Sequence, residues 1–215
     1  MLKEAIKNAV WSVDGGVASA IEQRIEVARR AVDAAVAPDD FTGGTMADRA
    51  RWAADLAERR AVKVRAGAGA LAALVRDAAD ADSVEQLQNG LSDAVAAVAR
   101  EAATASESAA TLKRHADAAE RSINMGRILI GFADQPGSGV DAEWLESASD
   151  RLGMLAETLG AVRAHADDAD LSAVDAAASL TDAKVWLEQT RTGVQLASIR
   201  RAVARLGEDC GLVAA

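Results

Sequence analysis

Few residues in this chain are of a type that performs chemistry, so each can be weighed by its neighbours. There are two histidines, His115 and His165, and one cysteine, Cys210. Carboxylate-bridged metal centres in helical proteins place a Glu three residues before a His, which puts both ligands on one helix face. Leu112 stands at that spacing before His115 and Val162 before His165, so the motif is missing at both. Two histidines and one thiol also fall short of an ordinary zinc donor set. Cys210 has no partner for an intrachain disulfide and reads as an idle thiol.

Two short runs need the same test. The acidic run DDAD at 167–170 lacks the glycine turn and the twelve-residue ligand spacing of a calcium loop, and reads as a solvated turn or cap. The run GAG at 67–69 follows no strand and precedes no Gly-Lys-Ser/Thr, so it is not a phosphate loop. Its glycines lie inside a helical pattern, where they predict close approach of a neighbouring helix. No Ser–His–Asp or Cys–His nucleophile with an orienting partner is recognisable. The expectation is a protein that is not an enzyme, with no metal, no cofactor and no small-molecule substrate.

Composition indicates what must position these residues. Alanine supplies about a quarter of the 215 residues, aromatic residues 3%, tyrosine none, and proline only Pro38 and Pro136. Such a pool favours helix almost everywhere. The formal net charge is −9, with cations dispersed among acids, which argues against a nucleic-acid groove. The opening MLKEAIKNAVWSVDGGVASA resembles a signal peptide in its lysines and small-residue end, but its apolar run is short and broken by Asp14. No stretch reaches the length of a membrane span. The expected location is therefore the cytoplasm or a virion.

Hydrophobic spacing divides the chain. Residues 2–13 form an amphipathic helix with Leu2, Ile6 and Val10 on one face and Trp11 on its flank, and a second helix over about 17–37 carries Ile21, Ile25, Ala28, Val32 and Ala35. These, with the loop after Pro38, make an N-terminal region 1–45. Region 46–215 reads as an antiparallel bundle of helices at about 46–80, 83–133, 141–168 and 171–207. The first seam runs Ala50, Ala54, Ala57, Ala61, Val64, Ala68, Leu71 and Val75. The next begins at Ser83, capped by a Ser83/Gln86 box, and passes through Val84, Leu87, Leu91, Ala94 and Val98 to Ala102, where two four-residue steps make a stutter. Between 141 and 207 two phases compete. One continues through Ala169, Ala173, Ala176, Leu180, Ala183 and Leu187; the other starts afresh at Leu171, Val174, Ala178 and Thr181 after a turn, which is the division adopted here. Gly207 is the expected C-terminal stop.

The alanine seams predict unusually close helix packing, since each offers one methyl but no bulk to hold axes apart. With a central helix of about 50 residues, the fold class is all-α: an elongated antiparallel bundle or coiled coil of long alanine-rich helices. Two places read as candidate interaction surfaces. One is the N-terminal helix face of Leu2, Ile6, Val10 and Trp11; the other is the apolar cluster Ile128, Leu129, Ile130 and Phe132 beside the 134–139 hairpin turn.

This texture is similar to the Ala/Ser-rich helical spacers of appendage proteins such as phage fibres, and equally to chemoreceptor-like signalling rods. The narrow alanine faces, the lack of aromatic filler and the regular heptads point to a structural role: a scaffold that self-associates as a homo-oligomer or docks on a protein partner in a larger assembly, such as a virion. The alternative is a surface-active protein that binds a membrane or hydrophobic inclusion through 123–139 or the N-terminal helix.

Overall fold

The computed structural model describes residues 16–37, 44–77, 80–135 and 138–211. Among them are four helices and no strand: α1 (Gly16–Ala35), α2 (Met46–Arg76), α3 (Ala81–Ala133) and α4 (Ala142–Asp209). They pack as two compact units. The first comprises the described residues up to Arg51 with Glu107–Asp168; the second comprises Trp52–Ser106 with the described residues from Ala169 onward. α2, α3 and α4 each contribute a segment to both.

In the first unit, α1 buries Val17, Ile21, Ile25, Ala28, Val32 and Ala35, three and four residues apart on one face. The first five pack with Ala116, Ala119 and Ile123 of α3 and with Leu145, Ala148, Leu152 and Leu159 of α4. Each fully buried Ile or Leu stabilises by roughly 1.5–3 kcal/mol. α3 and α4 are antiparallel, which follows from the pairs Lys113–Asp167 at 3.1 Å and Asp117–Arg163 at 2.7 Å. Leu152, Ile123 and Leu145 belong to this one core, and Leu129 packs against it.

The second unit joins α2 and α3 as an antiparallel hairpin, with α4 running parallel to α2. Register is read from Ser172 on Asp55 at 3.2 Å, Asp182 on Arg65 at 3.5 Å, and the ring of Trp186 over Gly69. The core holds Ala57, Ala61, Val64, Ala68 and Leu71 from α2, Val84, Val95, Val98 and Ala102 from α3, and Ala176, Leu180, Ala183, Leu187 and Val194 from α4.

Four sequence expectations are corrected. The turn expected between 168 and 171 is absent, because α4 continues as one helix of 68 residues. Its buried phase, through Ala169, Ala173, Ala176, Leu180 and Ala183, leaves Leu171 and Val174 exposed. No last helix therefore returns past Leu152: Leu152 lies in the first core, and Trp186 packs on the second. Next, α3 has no stutter. Its inward line runs Val84, Gln88, Leu91, Val95, Val98 and Ala102 in regular three- and four-residue steps, and Leu87 is exposed. The cap of α3 is Asp80 rather than Ser83; its carboxylate accepts from the Asp82 amide at 3.3 Å and the Ser83 hydroxyl at 3.1 Å. Finally, α4 passes through Gly207 and stops at Asp209, with Gly211 at φ 67° in the left-handed position that ends many helices.

Candidate functional site

Of the chemistry-bearing residues, His165 and two members of the acidic run bridge helices. His165 of α4 places Nε2 3.4 Å from Asp48 of α2, within the first unit. Asp48 is committed to the start of α2 by a reciprocal cap. Its carboxylate accepts from the Thr45 amide at 3.0 Å and the Thr45 hydroxyl at 2.8 Å, while the Asp48 amide donates to the Thr45 hydroxyl oxygen at 3.1 Å. Those bonds hold its pKa below the ordinary carboxylate value, with a smaller contribution from the charges of His165 and Arg51. His115 is half-buried on α3. Among the described residues no group of three His, Cys, Asp or Glu side chains is placed to share a metal ion. Cys210 is exposed as a free thiol.

The acidic run 167–170 sits mid-helix, not in a turn. Asp167 pairs with Lys113 at 3.1 Å and Asp168 with Arg51 at 3.6 Å, so two of its charges clamp α4 to α3 and α2. The two glycines at 67 and 69 are close-approach positions, as their setting in a helix predicts. A Cβ at Gly67 would stand 3.0 Å from Leu91 Cδ2, and one at Gly69 would stand 2.9 Å from Trp186 Cζ3. Gly193 lies so tightly against Val75 that a Cβ there would collide with it.

One polar constellation escaped the sequence reading. Thr190, 1% exposed, donates its hydroxyl to the Leu187 carbonyl at 2.8 Å. Gln88 Nε2 donates to that carbonyl at 3.0 Å and to Thr190 Oγ1 at 3.1 Å, which joins α3 to α4 through a satisfied polar layer. The available signal was that Gln88, not Leu87, keeps the three-and-four spacing unbroken. Beside this layer, two open grooves flank α4. One of about 780 Å³ faces α2 and includes Trp186, Leu196 and Arg201; another of about 730 Å³ faces α3 and includes Gln88, Arg191 and Ile199.

Of the candidate surface residues, Leu2, Ile6, Val10 and Trp11 lie outside the described residues. The second group is divided. Leu129 and Ile130 pack partly against the first core beside Val140 and Trp144. Ile128 and Phe132 are turned outward, 52% and 46% exposed. No helix is long and apolar enough to cross a membrane among the described residues. Comparison of the chain with protein-family models, with curated proteins and with solved structures finds no match in any of the three.

Proposed function

We propose that the chain is a non-catalytic, elongated helical scaffold, wound as a coiled coil, that self-associates or docks into a larger assembly. The observation that carries this reading is the unbroken inward phase of α4, in three- and four-residue steps from Leu145 to Val194. A helix that holds one register over that length is suited to transmit position along a structure. Ala148, Ala166, Ala169, Ala173, Ala176 and Ala183 alternate along it with leucine and valine, so that neighbouring backbones can approach closely at those positions. His165, the acidic run and Gly67, Gly69 and Gly193 support the same role, since each is engaged in or placed at helix packing.

Multi-angle light scattering combined with small-angle X-ray scattering tests the reading. The expected result is an extended particle whose mass rises with concentration; a strictly monomeric, near-spherical particle refutes it. A second reading, insertion of the 123–139 region into a lipid surface, draws on the outward Ile128 and Phe132 and on Met125, which is also exposed. Liposome flotation that is abolished by Ile128→Asp would favour it, and the absence of flotation would discard it.

A further inference from the structure

α4 carries a second apolar line opposite the one it buries. Within the second unit, its inward side is the Ala173, Ala176, Leu180, Ala183, Leu187 phase. Roughly half a turn around the helix, Leu171 and Val174 open an outward line that continues through Ala178, Thr181 and Val185. It resumes at Thr192 and ends in Leu196, Ile199, Val203 and Leu206, all more than half exposed. Steps of three and four residues persist except across Glu188 and Gln189. An isolated exposed leucine is ordinary, but a phased line along a helix is the pattern of a seam.

Charge along this helix is polarised. Between 169 and 188 the charged residues are Asp170, Asp175, Asp182 and Glu188 with one cation, Lys184; between 189 and 207 they are Arg191, Arg200, Arg201 and Arg205, with Glu208 and Asp209 at the helix end. A parallel pairing of two such helices would set acid beside acid and arginine beside arginine. An antiparallel pairing sets each acidic half against a basic half.

We propose that two copies of the chain associate through this face, α4 against α4, antiparallel about a twofold axis at Glu188 and Gln189. The line is self-complementary about that point. Leu171 meets Leu206 of the second copy, Val174 meets Val203, Ala178 meets Ile199, and Val185 meets Thr192. Arg200 falls between Asp175 and Asp182 of the second copy, on the same flank of the seam. Glu188, at the axis, lies 3.9 Å from Arg191 of its own copy and comes within reach of the other. Such an isologous contact closes on itself and gives a dimer, not a filament. A strip about 54 Å long and 10–12 Å wide covers about 600 Å² of each copy. That is the low end of what a specific complex buries, so the dimer is expected to be reversible in the micromolar range. The inference rests on the assembly reading above and assigns it a surface.

Sedimentation of the full chain across micromolar concentrations is the test, with helix content followed by circular dichroism. The wild type should show a monomer–dimer equilibrium, and Ile199→Asp with Val203→Asp should weaken it by at least about tenfold with helicity retained. Arg200→Asp alone and Asp175→Arg alone should each weaken the dimer by about three- to tenfold, and their equimolar mixture should restore it. In a Cys210→Ser background, mixing Val174→Cys with Val203→Cys should give a disulfide-linked heterodimer, which keeps the proposal testable if the Asp variants lose helix. Self-association that ignores these substitutions, or a Val174→Cys chain that links efficiently to itself, overturns this face while leaving the assembly reading in place. A wild type that stays monomeric throughout overturns this face and self-association together.

Discussion

The two units solve the same packing problem with different side chains. The first fills its core with Ile21, Ile25, Ile123, Leu145, Leu152 and Leu159, and braces it with ion pairs: Arg151 to Glu22 at 2.6 Å, and Arg163 to both Asp117 and Glu120. The braces are partly exposed, and the Glu22 and Glu120 carboxylates raise the pKa of the Arg151 and Arg163 guanidiniums respectively. The second unit uses smaller branched side chains, with Val64, Val84, Val95, Val98 and Val194 beside Leu71, Leu180 and Leu187, and places the satisfied Gln88–Thr190 layer in its seam. Glycines set close approach at three places in the second unit, Gly67, Gly69 and Gly193, and in the first at Gly126 against Leu152. A core of large side chains tolerates small displacements by repacking, whereas one that depends on the lack of a Cβ does not.

That contrast can be broken in steps of decreasing size. Trp144 packs on the first core and Trp186 on the second, so variants retaining one of these tryptophans report each unit by fluorescence. Leu152→Ala should cost about 2–5 kcal/mol, read from the Trp144 transition, because it opens a cavity among residues that cannot fully collapse. Equal loss at both reporters would mean that the units melt as one and would void the contrast. Gly193→Ala should cost about 1–3 kcal/mol at the Trp186 reporter through collision with Val75. In a Val75→Ala background the same change should turn neutral or stabilising by up to about 1 kcal/mol, since alanine is the better helix former. A Gly193→Ala protein as stable as wild type would show that proximity does not limit the second unit.

Thr45→Ala should cost about 1 kcal/mol by removing the cap of α2. The same cap has a pH signature. The Asp48 pKa is lowered by folding, so its contribution is present at neutral pH and is lost as pH falls below about 4, through the folded value. Chemical denaturation at descending pH should show a shallower acid loss in Asp48→Asn than in wild type; parallel curves would refute the assignment. The smallest effect is expected from Glu26→Gln. Glu26 is a surface carboxylate whose pKa is held down by hydrogen bonds from Arg30 and Arg29, and its loss should leave the thermal midpoint unchanged within error.

Much of the helical plan was legible because a single helix face states its own period. The buried line of α1 and that of α2 from Ala50 to Leu71 fall where the spacing puts them, and Gly67 and Gly69 announce close neighbours by sitting in a helix at all. Gln88 was misplaced because a leucine one residue away is the better apolar choice in isolation. Only the partner carbonyl of Leu187 and the Thr190 hydroxyl, about a hundred residues along, make the glutamine acceptable inside. The cap at Asp80 and the stop at Gly211 were missed through local degeneracy, since Ser83 and Gly207 carry equally good signals.

The amino-acid sequence determined that this chain is helical, roughly where its helices begin, and that α4 has two apolar phases. Tertiary structure decided which of the two faces inward. Ala54, Ala57 and Ala61 of α2 and Ala102 and Ala105 of α3 line their sides of the second unit with single methyls. Close approach to such surfaces favours the alanine phase of α4 and excludes the one bearing Leu171 and Val174. The periodicity of one helix is a property of its own residues, whereas the choice between two workable faces depends on the shapes they meet.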